Sequence, residues 1–291
     1  MTRNCSSIDQ GPDDPIATLP SDGLAAAARA IVTTPDLDEK VRLAKATARA
    51  WFRRQLARPR RSLGVEMPAD PGRPEKPELL PPRMMPKRSA GGPKGRYALL
   101  HALTHIELSA VDMTWDLVGR FAHAEMPRPF FDDWVQVGLE EAKHFELLSQ
   151  RLVALGGGYG DLPAHAGLWQ AAQATGDDLL ARLAIVPLVL EARGLDVSPA
   201  MMKQLEAAGD IASRDILAII YRDEKRHVAF GMKWFRFLCH QQRRPLETTF
   251  HSLVRDNFRA PIKPPFNEAA RTEAGLTPGF YKPLTAFGAP A

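Results

Sequence analysis

Two short stretches of this chain place chemistry where a helix should place only core. In YRDEKRHVAFG (221–231), Glu224 and His227 share a face with Leu217, Ile220, Val228, Gly231, Trp234 and Leu238, at the three- and four-residue spacing of one helical stripe. In GLEEAKHFELL (138–148), Glu141 and His144 stand on the stripe of Trp134, Val137, Leu148 and Leu152. Two further segments each add one acid. Glu107 lies among Leu100, Leu103, Val111, Thr114, Val118 and Phe121, and Glu191 among Leu180, Ala184, Pro187 and Gly194.

Four unpaired carboxylates in an apolar core are prohibitively costly, and they would take up protons until neutral. Two divalent cations remove that cost: four negative charges meet four positive ones, and two neutral imidazoles complete the ligand set. Oxygen and imidazole ligands suit iron or manganese, and thiolate ligands are missing from the pattern. One Glu-x-x-His pair is common and means little. Two of them, with two single acids in the order Glu107, Glu141/His144, Glu191, Glu224/His227, form the ligand pattern of di-iron and di-manganese carboxylate helix bundles. Glu107 and Glu141 are 34 residues apart and Glu191 and Glu224 are 33 apart, so the design reads as a duplicated helical hairpin. Glu140 and Asp223 each precede a ligand Glu and are placed to accept the remaining ring N–H of the histidine on the opposite motif.

These residues need long helices, and the sequence predicts four, at about 97–124, 128–155, 177–208 and 210–240. MPRP (126–129), the loop GGGYGDLPAHAG (156–167) and Gly209 separate them. Pro187 is expected to kink the third helix, and GLDVSP (194–199) to interrupt it again. Residues 22–33 and 37–57 also read as helices, followed by a stretch, 58–96, whose nine prolines force it to run extended as a linker or a wrap. After 240 an irregular tail is expected, with one short helix near 266–275. Three regions result: 1–96, N-terminal helices and Pro-rich wrap; 97–240, the bundle; 241–291, a tail packed on it. The fold class is all-α.

At 291 residues, 45% hydrophobic and 25% charged, the composition is that of a globular protein. Two cysteines, Cys5 and Cys239, exclude a disulfide framework and a Cys-rich zinc module. No membrane-length apolar run and no apolar leader are seen, so a cytoplasmic protein is expected. Nine Lys or Arg residues lie between Lys40 and Arg61. Much of that stretch is helical, which favours a solvated face over a phosphate track. His101, His105, Asp112 and Asp116 form another polar set on the first helix, read as facing water or the Pro-rich wrap, with a second metal site as the sharper alternative. Tyr221 reads as packing, with a radical or hydrogen-bonding role as the alternative, and Trp115, Trp134 and Phe130 read as packing, with a place in a substrate cavity as the alternative. Arg226 and Arg193 sit beside His227 and Glu191 and are candidates to pair with the acids.

The motifs HALTHIELSAVDMTWDLVGRF, EEAKHFELLSQRL, YGDLPAHAGLW, PLVLEARGLDVSP and DEKRHVAFG, with PGRPEKPELLPPRMMPKR before and PPFNEAARTEAGLTPGFY after them, resemble the ferritin-like family called domain of unknown function 455. The resemblance spans nearly everything after about residue 20. It implies a ferritin-like four-helix bundle and the six ligands Glu107, Glu141, His144, Glu191, Glu224 and His227, but no reaction. The site is also similar to those of di-iron oxygenases, including a bacterial tRNA hydroxylase; Glu140 departs from the shorter Asp that many of them carry. The expected function is an O2-dependent oxidase or hydroxylase holding two Fe ions, with Mn as the alternative metal, in which the four glutamates ligate and bridge. Its partners would be dioxygen, an unidentified substrate and an external electron donor, in a monomer or small oligomer with no membrane. The alternatives are a ferroxidase and an RNA-modifying enzyme steered by the basic N-terminal region.

Overall fold

The computed structural model describes residues 23–57, 65–85, 92–258 and 261–286. Eleven α-helices lie within these residues: α1 (Leu24–Thr33), α2 (Leu37–Phe52), α3 (Gly92–Arg120), α4 (Arg128–Ala154), α5 (Gly167–Gln173), α6 (Leu179–Ile185), α7 (Ala192–Ala207), α8 (Ile211–Gln241), α9 (Leu246–Asn257), α10 (Glu268–Glu273) and α11 (Pro278–Tyr281). Among the described residues there is no strand, only an isolated parallel bridge between Leu79 and Ala164. The chain is all-helical. No helix among these residues is long and apolar enough to cross a membrane.

The long helices pair as antiparallel hairpins. Trp115 of α3 lies against Gly138 of α4, where an added Cβ would come within 2.8 Å of the indole, so glycine is what lets these helices approach. The second hairpin joins α7 to α8. Leu100 of α3, Leu148 and Leu152 of α4, Leu205 of α7, and Leu217 and Ile220 of α8 form one apolar cluster, so four segments share a core. A larger cluster, including Val111, Trp115, Trp134, Val137, Val228 and Trp234, fills the other side of the acidic layer. Trp115, Trp134 and Phe130 are fully buried there as packing.

Helix ends follow local chemistry. Asp178 accepts from the N–H groups of Leu180 and Ala181 at the start of α6, and Asp210 from Ser213 at the start of α8. Gly209, with φ of 73°, closes α7. Pro187 does disturb the third segment: residues Val186–Glu191 form a π-helical turn between α6 and α7. The second expected interruption is absent. GLDVSP lies inside α7, which carries Pro199 in its interior. The tail after 240 is more regular than expected, since α9 packs Phe250 edge-on to Phe235 of α8, with ring centroids 5.9 Å apart. Helix α5 also escaped the periodicity search, being only seven residues long.

The described part of the Pro-rich segment, 65–85, lies against the helices, and residues 92–96, expected to be extended, are the start of α3. Gly72 N donates to Val32 O at 2.8 Å, Trp169 Nε1 to Ala69 O at 2.9 Å, and Leu80 N to Ala164 O at 2.8 Å. Met67 rests on Gly119 of α3, where a Cβ would meet its sulfur at 2.5 Å. Helix α2 is not merely a solvated basic face. Lys40 is buried, donating to Asp112 of α3 and to Val32 O, while Lys45 Nζ lies 2.7 Å from Glu146 and Arg54 3.6 Å from Asp132. Arg58, Arg60 and Arg61 of the basic stretch, and Cys5, lie outside the described residues.

The π-helical turn leans on a glycine across the bundle. A Cβ on Gly231 of α8 would fall 2.5 Å from Pro187 Cβ and 3.3 Å from a Leu188 methyl. We expect Gly231→Val to destabilise the protein by about 1–3 kcal/mol, the usual cost of overpacking a rigid contact. Chemical denaturation checks this, and an unchanged midpoint would show that the turn can yield.

Candidate metal centre

Between the two apolar clusters lies a layer of buried acids and imidazoles. Glu107 comes from α3, Glu141 and His144 from α4, Glu191 from the last residue of the π-helical turn, and Glu224 and His227 from α8. All six residues expected from the sequence are therefore brought together. None is more than 9% exposed. Ligand atoms of Glu107, Glu141, His144 and Glu224 lie within 4.8 Å of one another, as do those of Glu191, Glu224 and His227. Glu224 belongs to both groups. Glu141 also spans them, with Oε2 3.4 Å from His144 Nδ1 and Oε1 3.0 Å from His227 Nδ1.

Both imidazoles point Nδ1 inward and Nε2 outward. His144 Nε2 lies 3.2 Å from Asp223 of α8, and His227 Nε2 lies 2.8 Å from Glu140 of α4. Each Glu-x-x-His helix thus supplies the acid that orients the histidine of the other, as the spacing suggested. With Nε2–H donated to a carboxylate, Nδ1 keeps its lone pair for the interior. The longer Glu140 makes the shorter of the two contacts. Arg226 is paired with Glu140 and lies 3.4 Å from Asp223, while Lys143 Nζ reaches Asp223 at 2.5 Å and Gln136 Nε2 donates to Glu140 at 2.6 Å. Lys143 and Gln136 were not expected. Gln136 lies four and Lys143 three residues from Glu140 on α4, the one signal that could have raised them. Arg193 does not pair with Glu191; its Nη1 donates to the carbonyls of Lys263 and Pro265 and lies 3.4 Å from Asp196. Tyr221 accepts from Asn267 and is no part of the centre.

On their inner sides the six residues are starved of partners. Glu107 Oε2, both oxygens of Glu141 and of Glu191, Glu224 Oε2, His144 Nδ1 and His227 Nδ1 are buried without a hydrogen bond. That is the pattern of a ligand set, because buried polar atoms are otherwise satisfied. Burial, with the charges of Glu141 and Glu224, pushes Glu107 up to about 8, and burial with Glu224 and Glu141 raises Glu191 well above the carboxylate range. Burial and Glu141 raise Glu224. Burial opposes charge on His144 and His227, but the surrounding carboxylates outweigh it and hold both well above the usual imidazole range. Burial also opposes charge on Glu141, yet the two imidazoles hold it below the carboxylate range.

The second polar set behaves differently. His105 Nε2 donates to the His165 carbonyl at 3.0 Å and Nδ1 accepts from Tyr159 at 2.7 Å, and burial lowers this imidazole to about 4. His101 Nε2 accepts from Gly160 and Leu162, Asp112 takes Lys40, and Asp116 takes Arg182 at 2.7 Å. This face meets the 156–167 loop and two buried cations instead of water. Among the described residues it forms no metal-ligating group.

A cavity of about 470 Å³ opens beside the centre, reaching Glu107, Glu191 and Glu224 and walled by residues including Leu103, Ile106, Met113, Val189, Met201 and Ile262. Trp115, Trp134 and Phe130 do not line it.

Fold and site together define an all-helical protein with a buried carboxylate–imidazole centre built across two helical hairpins. The chain belongs to the family described as Protein of unknown function (DUF455), whose pattern matches residues 33–282. It is similar to an "Uncharacterized protein" of Haemophilus influenzae (strain ATCC 51907 / DSM 11121 / KW20 / Rd), 41% identical over 209 residues that make up 70% of this chain and 73% of the relative. No solved structure matches the chain.

Two predictions follow from this geometry. Glu107, Glu191, Glu224 and both histidines bind protons more tightly folded than unfolded. Their stabilisation is therefore present below the unfolded carboxylate range and is lost as pH rises, for Glu107 through about 8. Thermal melts of the metal-free protein should accordingly fall in midpoint from about pH 6 to about pH 9, and divalent metal should restore stability most at the alkaline end. A flat or rising midpoint would refute the repulsion. Separately, Asp223→Asn and Glu140→Gln should each weaken metal affinity by about 10–100-fold while leaving the helical content unchanged, measured by competition with a chelating dye.

Proposed function

We propose that this chain is a ferritin-like di-metal carboxylate protein that holds two iron ions, with manganese as the alternative, and catalyses an O2-dependent oxidation or hydroxylation. The observation that carries this reading is the set of buried inward carboxylate and imidazole atoms without hydrogen bonds, contributed by four helical segments. Donors of this class suit iron or manganese, and the arrangement of two single glutamates and two Glu-x-x-His pairs is that of ferritin-like bundles. When bound, such a pair of ions supplies the capacity to reduce dioxygen.

The chain's own residues have separable tasks. Glu107, Glu141, His144, Glu191, Glu224 and His227 would hold the ions; Glu224 falls in both ligand groups, Glu141 reaches both histidines, and Glu107 and Glu191 each fall in one group. Asp223 and Glu140 keep the Nε2 protons of His144 and His227 in place, with Lys143 and Arg226 paired behind them; burial resists the charge on Asp223, but His144 and Lys143 keep its carboxyl below the usual range. The largely apolar cavity beside Glu107, Glu191 and Glu224 leaves room for an organic molecule. That room favours an oxidase or hydroxylase over a ferroxidase. Electrons would come from an external donor.

Anaerobic titration with Fe(II) should load about two ions per chain, and Glu141→Ala and Glu224→Ala should each abolish loading of the pair. After exposure to O2 the protein should retain its iron and accept re-reduction for a further cycle. No bound transition metal would sink the reading, and accumulation of many irons per chain in a large shell would turn it towards storage.

A further inference from the structure

The cavity beside the centre has two unlike ends. Its inner end is made by Glu107, Glu191 and Glu224, all buried. Its outer part carries Arg193, whose side chain is 41% exposed, and Lys263, also exposed. The wall between them is mostly hydrocarbon, from Leu103, Ile106, Leu190, Val197, Met201 and Phe258.

The charges at the outer end do not cancel. Arg271, which also lines the cavity, is spent on Asp196 at 2.8 and 2.7 Å, and Asp196 lies a further 3.4 Å from Arg193. One carboxylate therefore faces two guanidinium groups, and Lys263 adds a third cation. Arg193 uses Nη1 on the Lys263 and Pro265 carbonyls and on Asp196, so among the described residues its Nε and Nη2 donors make no hydrogen bond. Nε and Nη2 form the edge of a guanidinium that matches the two oxygens of a carboxylate.

Space is kept open next to the inner end. Gly194 lies one helical turn beyond Glu191, and a Cβ there would meet only Glu224 Cγ, at 3.9 Å. A larger residue at this position would occupy the cavity without straining α7. With a volume of about 470 Å³, the cavity takes a molecule of roughly ten to fifteen heavy atoms at ~30 Å³ each.

We propose that the substrate class of this site is a carboxylate amphiphile, with an apolar body lying along the Leu103–Met201 wall and its anionic head held at the mouth by Arg193 and Lys263. The inference rests on the oxidase or hydroxylase reading for its catalytic meaning, although the binding itself does not require turnover. The head anchored at the mouth directs the far end of the body to Glu107, Glu191 and Glu224. Position along the chain, not functional-group chemistry, would then select the atom presented to the centre. Arg193 and Lys263 are positioning residues in this scheme.

The test is calorimetric binding of decanoate, 1-decanol and decylammonium to the Mn(II)-loaded protein, with metal content measured on every sample. Decanoate should bind about tenfold or more tightly than decanol, the order expected of a charge-assisted guanidinium–carboxylate contact, and decylammonium should bind most weakly. Arg193→Gln and Lys263→Gln should each reduce that preference without weakening decanol, and Gly194→Leu should remove binding of all three while the metal content stays unchanged. Equal affinity for decanoate and decanol, no binding of either, or undiminished binding by Gly194→Leu would overturn the inference. Metal uptake without decanoate binding overturns this inference alone. Decanoate binding by a protein that takes up no metal overturns the oxidase reading and leaves the carboxylate site standing.

Discussion

Four carboxylates held in a buried layer repel one another, and the architecture is arranged around that cost. The layer lies between two apolar clusters, and the cavity reaches it from one side. Protonation relieves the repulsion, and so does a pair of divalent cations. These routes compete, and they make acidity and metal occupancy two views of a single equilibrium. Repacking with hydrocarbon would remove the repulsion altogether; the chain instead keeps the carboxylates and spends glycines and a π-helical turn to bring them together.

Support for the layer comes from crossed pairing. Each histidine is oriented by an acid on the other Glu-x-x-His helix, so α4 and α8 cannot slide past one another without losing both contacts. The same principle recurs farther out. Lys40 with Asp112, Arg182 with Asp116 and Arg271 with Asp196 are buried pairs that fasten α2 and α6 to α3 and α10 to α7. Removing one partner from such a pair costs about 3–5 kcal/mol because the other charge is left stranded, which makes each pair a constraint on which segments may dock.

What could be read from the sequence was whatever obeyed a helical period. The six centre residues were legible because each stood on an apolar stripe where a charged residue needs an explanation, and Glu140 and Asp223 because adjacency to a ligand places them on its flank. The wrap was legible from its prolines. Other features depend on partners remote in sequence. Lys40 resembles any lysine of a basic helix until Asp112, 72 residues away, is seen beside it. The polar set from His101 to Asp116 resembled a wet face for the same reason. Helix α9 was hidden because it is short and set between Pro245 and the Pro-rich run 261–265, which suggest an irregular tail. Inside α7, Pro199 was read as a break, yet the segment continues because α8 holds it from the side. The cavity was invisible, since empty space leaves no periodicity.

The centre presents different chemistry in opposite directions. Three of its carboxylates, Glu107, Glu191 and Glu224, face the cavity, whereas its imidazoles are backed by Asp223 and Glu140 and, beyond them, by Lys143 and Arg226. The cavity that reaches Glu107, Glu191 and Glu224 opens on the first side. On the second, each imidazole contacts a carboxylate, and that carboxylate contacts a cation. The approach to the carboxylates and the charged backing of the imidazoles therefore lie on different sides of the layer.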